Sequence, residues 1–283
     1  MPFSKTQILL DPEAETERIV AGLRDIVAHR FHKRGAVIGI SGGIDSSVCL
    51  ALAVRAFGPD KVLGVTMPET ESNPESEVLA RKLAQHYGVG YLVKDLTAAI
   101  AGFGAYARRD QAIKKVFPEY DATYKAKIVL PSALDEADRL NVFQLTIISP
   151  EGETKTKRLP LKEYLEIVAS SNFKQRSRMA MLYHQAERLN YAVIGTANKN
   201  EHDQGFFVKW GDGGADVYPI RHLFKTQVFQ LAAHLDVPKE IQERVPTTDT
   251  YSAECTQEEF FFRVPFEICL LYTSDAADEE DSV

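Results

Sequence analysis

Hydrophobic and polar positions along the chain follow two rhythms, one typical of amphipathic helices and one typical of buried strands. Apolar residues recur at helical spacing over 13–29. A continuous apolar run with β-branched residues follows at 36–40, as in a strand that is covered on both faces. The same rhythms then predict helices at 46–57, 73–87, 96–106 and 161–189, and strands at 62–67, 91–93 and 191–195.

Alternating strands and helices of these lengths predict an α/β protein. We expect a doubly wound parallel sheet with right-handed crossovers and helices on both faces. Ligands of such sheets bind beyond the carboxyl ends of the strands. The segments that directly follow the predicted strands are therefore the first place to look for a functional site.

One segment, at about 108–159, departs from this alternation. It is charged, contains three prolines and shows no clear helical or parallel-strand rhythm. Within it, 141–148 and 154–159 flank the turn-forming sequence Ser-Pro-Glu-Gly, which predicts an antiparallel β-hairpin. We interpret the segment as an insertion that decorates the core, and favour a solvated excursion over a lid or an interface arm.

Composition and charge narrow the class of protein. The 283 residues carry a formal charge of −7, of which the last nine residues hold five negative charges, so the rest stands at −2. A nearly neutral body argues against non-specific nucleic-acid binding. The sequence shows neither an apolar run long enough to cross a bilayer nor a signal-peptide segment. Its three widely spaced cysteines make no disulfide framework. We expect a cytoplasmic protein that binds neither nucleic acid nor membrane.

A glycine-rich loop at 41–47 follows the first predicted strand and precedes a helix. Its two glycines let backbone amides approach phosphate oxygens, and the helix N-terminus favours the same anion. Asp45 would repel phosphates unless it held a divalent cation that bridges the two. The loop lacks both the Walker lysine and the glycine spacing of a dinucleotide loop. The structural alternative is a turn in which Asp45 caps the helix.

This loop resembles the pyrophosphate-binding loop of the N-type ATP pyrophosphatases, enzymes that split ATP between its α- and β-phosphates and adenylate an acceptor oxygen. The resemblance assigns the ATP phosphates to a continuous set of residues: Gly39, Ile40, Ser41, Gly42, Gly43, Ile44, Asp45 and Ser46.

A second loop, at 195–216, follows the last predicted strand and is rich in glycine and charge. Its Glu201 could complete a cation site with Asp45. The loop closely resembles the NAD synthetase signature Gly-Phe-Phe-x-Lys-x-Gly-Asp-Gly-Gly-x-Asp. Segments at 172–179 and 219–247 fall in the same family's order, so the resemblance covers about 15–108 and 160–268.

The resemblance implies the adenine nucleotide alpha hydrolase-like form of the fold and a ligase that works as a homodimer. The implied reaction is the last step of NAD biosynthesis: ATP-dependent amidation of deamido-NAD with ammonia, through an adenylated carboxylate, releasing AMP and pyrophosphate. Asp45 and Glu201 would hold Mg²⁺. Further implied contacts are Thr196, Lys225 and Thr247 to ATP, and Arg176, Lys209 and Asp216 to deamido-NAD. Asp45, Lys209 and Asp212 would take part in catalysis, with Asp212 near the ammonia.

Other interpretations stay open at this point. Taken singly, Lys225 could be solvated, Thr247 a helix cap and Arg176 part of a charged helix face. Two alternative functions are another adenylating ATP pyrophosphatase of GMP-synthetase type and a non-catalytic adenine-nucleotide-binding protein. The stretch 269–283 resembles a translated sequencing adapter, so we expect a single domain at 1–268 followed by a non-native or disordered tail.

Overall fold

The computed structural model describes residues 9–130, 143–244 and 251–253. Thr247, two of the three cysteines and the acidic tail lie outside these residues. The chain divides into two compact units. We call residues 4–97 and 175–244 the parallel-sheet unit, and residues 1–3, 98–174 and 245–283 the insertion unit. The insertion predicted at about 108–159 lies within the second of these.

The described residues contain the predicted alternation of strands and helices, although the helix predicted at 96–106 is divided into two, and β4 and the helices α7, α8 and α9 were not predicted. The strands are β1 (Ala36–Gly39), β2 (Val62–Thr66), β3 (Gly90–Val93), β4 (Lys125–Val129), β5 (Gln144–Ile148), β6 (Thr154–Arg158) and β7 (Ala192–Ile194). The helices are α1 (Pro12–Arg24), α2 (Ile44–Phe57), α3 (Pro74–His86), α4 (Thr97–Gly102), α5 (Ala105–Val116), α6 (Leu161–Leu189), α7 (Lys199–Asp203), α8 (Lys225–His234) and α9 (Lys239–Gln242).

The parallel-sheet unit contains a four-stranded sheet in the order β3-β2-β1-β7, with every pair parallel. This confirms the predicted sheet. The chain lays β2 and β3 on one side of β1 and returns to place β7 on the other side. The carboxyl ends of β1 and β7 are therefore neighbours at the point where the strand order reverses, which is where open α/β sheets bind ligands.

Local sequence explains how the helices around the sheet begin and which of them are buried. Asp11 accepts hydrogen bonds from the amides of the first turn of α1, and Asn73 does the same ahead of the proline that opens α3. α1 continues as a π-helical turn over Asp25–Arg30, so the predicted helix at 13–29 is confirmed with altered geometry at its end. Ten of the 14 residues of α2 are buried, because α1 and α8 pack against it and the sheet lies beneath it.

The insertion unit is built on an antiparallel sheet in the order β4-β5-β6. β5 and β6 form the predicted hairpin, whose first two predicted residues lie outside the described part. The expectation that the segment lacks a helical rhythm was wrong, since most of α5 lies in it; β4, which is antiparallel, was not predicted. The charged residues of α5 obscure its apolar positions when the sequence is read alone. β4 alternates lysine with apolar residues at the strand period of two, so the sequence did contain a signal for this strand.

The insertion unit packs a hydrophobic cluster of its own, which a purely solvated excursion would not have. Apolar side chains of α5 meet the inner face of the sheet in this cluster. Its fully buried members include Ile113, Phe117, Ile128, Leu145 and Ile147. In the part of the chain that the structure describes, no helix combines the length and the hydrophobicity that crossing a membrane requires.

Candidate active site

The residues predicted to bind phosphate form one tight bend between β1 and α2, which we call the phosphate loop (residues 40–46). Ser46 and Ser47, in the first turn of α2, donate their hydroxyls to the Gly43 carbonyl oxygen at 3.1 and 2.8 Å. The Gly43 amide in turn donates to Ser41 Oγ at 3.3 Å. These short-range bonds hold the bend at the N-terminus of a 14-residue helix, where backbone amides and the helix dipole favour an anion.

Asp45, the acid of this loop, is held by two groups from the second half of the chain. Its Oδ2 forms an ion pair with Nζ of Lys225, the first residue of α8. Its Oδ1 accepts a hydrogen bond from Asn198 Nδ2 at 3.2 Å. The side chain of Lys225 is only 2% exposed. A lysine so deeply buried is stable only when paired, so Lys225 and Asp45 depend on each other.

Glu201, the second predicted metal ligand, is placed by a capping box at the start of α7. The Glu201 amide donates to Asn198 Oδ1 at 3.1 Å, and the Asn198 amide donates back to Glu201 Oε2 at 3.1 Å. Since Asn198 also binds Asp45, it links the two acids. Burial, with the negative charge of Asp45 added to it, raises the pKa of Glu201 to about 7, although Lys225 acts in the opposite direction.

The charges of the same two acids also act on a third side chain, the thiol of Cys49. Cys49 lies one helical turn after Asp45 in α2 and is fully buried. Burial raises the pKa of its thiol, and the Asp45 and Glu201 carboxylates raise it further. Both carboxylates therefore act on one buried position. The structure brings together the two acids that the sequence, 156 positions apart, predicted as a cation site.

The glycine-rich loop that carries the family signature is held mainly by its own contacts. Asp212 Oδ1 accepts a hydrogen bond from the Val208 amide at 2.9 Å. The Asp212 side chain is exposed, yet the protein atoms packed around it raise the pKa of its carboxyl, and bonds from the backbone and the charge of Arg178 act against this rise. Arg176 Nε, on α6, donates to the Lys209 carbonyl oxygen at 3.2 Å. Arg176 and Lys209, both assigned to deamido-NAD by resemblance, are thus neighbours.

Asp216 has a structural environment that the resemblance did not foresee. Its Oδ2 accepts a hydrogen bond from the Val193 amide in β7 at 2.8 Å, and its Oδ1 accepts one from the Tyr183 hydroxyl of α6 at 3.0 Å. These bonds tie the signature loop to the last strand of the sheet. Thr196, two residues beyond the end of β7, lies at the carboxyl edge that it shares with β1.

Two residues of the site escaped the sequence analysis. Asn198 stands three positions before Glu201, and Asn-x-x-Glu is a recognisable capping-box spacing, so a signal for it was present. Arg244 donates to the Ser41 and Gly42 carbonyl oxygens from 202 or more positions away, and no local pattern marks it.

Comparisons with known proteins agree on the family of this chain. The family model described as NAD synthase matches residues 15–128 and 132–265. A Rhizobium meliloti protein named NH(3)-dependent NAD(+) synthetase is 49% identical over 282 residues, which cover 98% of this chain and 84% of the relative.

Two solved structures share the fold. The NMN synthetase from Francisella tularensis has a TM-score of 0.67 at 24% identity, covering 94% of this chain and 87% of that one. The NH3-dependent NAD synthetase from Campylobacter jejuni has a TM-score of 0.57 at 23% identity, covering 83% of this chain and 77% of that one. The sequence match spans both the phosphate loop and the signature loop, and the chain belongs to the NAD synthase family.

Proposed function

We propose that this protein amidates deamido-NAD with ammonia at the expense of ATP, making NAD⁺, AMP and pyrophosphate. The observation that carries the proposal is the meeting of Asp45, Glu201 and Lys225 at the N-terminus of α2. This point lies at the strand-order reversal, where open α/β sheets bind nucleotides. Family membership and the printed name of the 49% identical relative support the choice of acceptor.

The phosphate loop is suited to the ATP triphosphate. The bend itself is built of small residues, and its backbone is accessible to an approaching anion at Ser41, which is exposed, and at Gly43, which is half-buried. The adjoining helix is long enough to contribute a dipole at its first turn. We therefore assign the triphosphate to this loop, in agreement with the resemblance to the ATP pyrophosphatases.

Asp45 and Glu201 fit a divalent cation. The negative charge of Asp45 raises the pKa of Glu201, so these two acids beside a buried lysine form a site that gains stability from positive charge. The described residues contain no group of three or more His, Cys, Asp or Glu side chains arranged for a metal. Mg²⁺ suits such a sparse set, because it commonly binds one or two carboxylates and takes its other ligands from phosphates and water. When bound, it would offset charge on the ATP phosphates.

The first chemical step joins a nicotinate carboxylate oxygen to the α-phosphorus of ATP. The bond from that phosphorus to the bridging oxygen breaks, and pyrophosphate leaves with the electron pair. Two anions must meet in this step, so a cationic side chain at the site favours it. Lys225 is held at the phosphate loop through Asp45 and can offset the charge of the phosphates there.

In the second step, the ammonia nitrogen attacks the carbonyl carbon of the mixed anhydride, and AMP leaves. The nitrogen then loses a proton, which needs an acceptor. Asp212 is our candidate, because its raised pKa makes it a better proton acceptor than an ordinary aspartate. The Val208 amide holds its carboxylate within the loop, so the acceptor is kept in place before ammonia arrives.

The alternative functions are less well supported. The family match and the 49% identical relative favour NAD synthesis over a GMP-synthetase-like activity. A non-catalytic nucleotide-binding protein would have no need for a buried pair of acids at the phosphate loop. We further propose, from the family resemblance, that the enzyme is a homodimer. A sedimentation mass of the full chain close to twice the 31.6 kDa of one subunit would support this.

The decisive experiment measures AMP and pyrophosphate released by the full chain with ATP, Mg²⁺ and ammonium. Parallel reactions contain deamido-NAD, nicotinate mononucleotide, xanthosine monophosphate or no acceptor. We expect AMP and NAD⁺ in equal amounts with deamido-NAD. Release without an acceptor, or a preference for xanthosine monophosphate, would reject the proposal. A preference for nicotinate mononucleotide would leave the proposed amidation standing but change its acceptor from the dinucleotide to the mononucleotide. Such an acceptor would agree with the name of the Francisella protein, NMN synthetase.

A further inference from the structure

The side chain of Arg244, two residues after α9, bridges two segments of the parallel-sheet unit. Its Nη1 lies 3.4 Å from the Ser41 carbonyl oxygen and 3.3 Å from the Gly42 carbonyl oxygen, and donates to both. Its Nη2 donates to Ser76 Oγ, in the first turn of α3, at 3.0 Å. One guanidinium therefore ties the phosphate loop to the start of a neighbouring helix. We call these three contacts the Arg244 clamp.

The clamp determines which way the loop amides face. In a trans peptide the carbonyl and the following amide point in opposite directions, and the described residues contain no cis peptide. With the Ser41 and Gly42 carbonyls turned toward Arg244, the amides of Gly42 and Gly43 are turned away from it. The Gly43 amide reaches Ser41 Oγ on that opposite side. These are amides of the segment assigned to the ATP phosphates.

Close packing makes the clamp hard to replace by a shift of the loop. Gly42 has φ +71°, and a Cβ placed there would lie 2.9 Å from both the Ser76 carbonyl oxygen and Leu79 Cβ. The same Cβ would lie 3.2 Å from Arg244 Nη1. The loop, the first turn of α3 and the guanidinium thus fill one corner. An amine on a flexible stem lacks the planar fork that bonds two carbonyls and a hydroxyl together.

We propose that Arg244 is a positioning residue for ATP, which holds two loop carbonyls back so that the loop amides face the triphosphate. The inference rests on the proposed function, since it assumes that this loop binds ATP. If Arg244 acts through the loop, its loss weakens the binding of ATP in particular. If Arg244 only supports the general stability of the protein, its loss weakens the binding of ATP and of deamido-NAD alike. The ratio of the two affinities therefore separates positioning from mere support.

The test measures the dissociation constants of α,β-methylene-ATP with Mg²⁺ and, separately, of deamido-NAD, by calorimetry on the full chain. Arg244→Met should weaken the binding of the ATP analogue by about tenfold to a hundredfold, the scale for losing charged hydrogen bonds. The binding of deamido-NAD should weaken by less than about threefold. Arg244→Lys should fall in between. Methylguanidinium should partly restore ATP binding to Arg244→Met. Arg81→Met, which loses an exposed pair with Glu77 and a cation–π contact with Tyr91 but no contact to the phosphate loop, is the control and should bind both ligands as the wild type does.

Each other outcome has a definite meaning. Equal weakening of both ligands, or an unchanged affinity for the ATP analogue in Arg244→Met, overturns the positioning role. If Arg244→Met does not fold, Arg244→Lys decides: wild-type affinity for the analogue overturns the role, and a selective loss supports it. Failure of the wild-type protein to bind the analogue would instead reject the proposed function, so the two failures are distinguishable.

Discussion

Lys225 and Asp45 are 180 positions apart in the chain and form a buried ion pair at the mouth of the phosphate loop. The pair joins the first turn of α2 to the first turn of α8. It also places a positive charge beside two acids, Asp45 and Glu201, that would otherwise repel each other. The protein therefore carries its own positive charge at the position where the resemblance assigns a cation and the ATP phosphates.

Removal of the lysine should expose this dependence. Lys225→Met leaves Asp45 and Glu201 without their buried counter-charge, and breaking a buried pair on one side costs about 3–5 kcal/mol. We expect the free energy of unfolding in urea to fall by that order near neutral pH, and AMP formation to be lost. Lys199→Met removes an exposed pair with Asp203 and a cation–π contact with Phe224, and should change stability by less than about 1 kcal/mol. Equal effects of the two variants would contradict the prediction.

Asp45→Asn tests the assigned metal carboxylate. The amide can still accept a hydrogen bond from Asn198 but carries no charge for a cation. We expect turnover to fall about a hundredfold or more, the scale for losing a preorganised electrostatic group. The free energy of unfolding should also fall, because Lys225 loses its charged partner, while the far-ultraviolet circular dichroism of the folded protein stays unchanged. Asp203→Asn, an exposed acid on α7, serves as the control and should retain activity. Near-normal turnover in Asp45→Asn would remove this residue from the site.

Glu201 should give the metal-free protein an unusual dependence on pH. Its pKa is raised from the ordinary value of 4.5 to about 7, so the folded state binds this proton more tightly than the unfolded state does. The stability that results is complete below the unfolded value and is lost as the pH rises through about 7.

The variant Glu201→Gln lacks this titration and provides the reference. In the presence of a chelator, the free energy of unfolding of the wild type should fall relative to Glu201→Gln between about pH 5 and about pH 8. Urea unfolding at several pH values measures the difference. Parallel curves for the two proteins would show that the raised pKa is not present.

Gly42 and Gly205 form a matched pair for the phosphate loop, because both have φ +71°. A Cβ on Gly42 meets backbone and side-chain atoms at 2.9 Å, whereas a Cβ on Gly205 meets nothing within 4 Å. Gly205→Ala should therefore lower the free energy of unfolding by about 1 kcal/mol through backbone strain. Gly42→Ala should lower it by more and should also weaken the binding of ATP. Thermal unfolding and ATP binding check this. The same loss in both variants would leave no role for packing at Gly42.

Asp216 should act on stability, because its carboxylate holds the Val193 amide in β7 and the Tyr183 hydroxyl. Asp216→Ala leaves the Val193 amide without its acceptor, and an unsatisfied buried donor costs about 1–3 kcal/mol, whereas water can replace the acceptor of the exposed Tyr183 bond. Tyr183→Phe removes only the second bond and should cost less. Urea unfolding measures both. A stable Asp216→Ala protein with weakened deamido-NAD binding would favour the substrate contact that the resemblance assigns to this residue.

Many features of the fold could be predicted because they are encoded locally. A continuous apolar run gave β1, and the Asn73-Pro74 pair gave the start of α3, since strand burial and helix capping depend on neighbouring residues. α5 was missed, because its charged residues hide the few apolar positions that pack in the insertion unit. The buried residues of α5 nonetheless recur at helical spacing, so a local signal for this helix was present in the sequence.

The candidate site divides in the same way. The sequence by itself determined the two loops, the pair of acids and the family, because glycine spacing, the position after a buried strand and the signature motif are properties of short segments. Only the tertiary structure decided that Lys225 pairs with Asp45, that Asp216 ties its loop to β7 and that Arg244 holds the phosphate loop. The physical reason is that an ion pair or hydrogen bond depends on distance in space, and partners that stand 23 to 203 positions apart in the chain leave no local trace of such proximity.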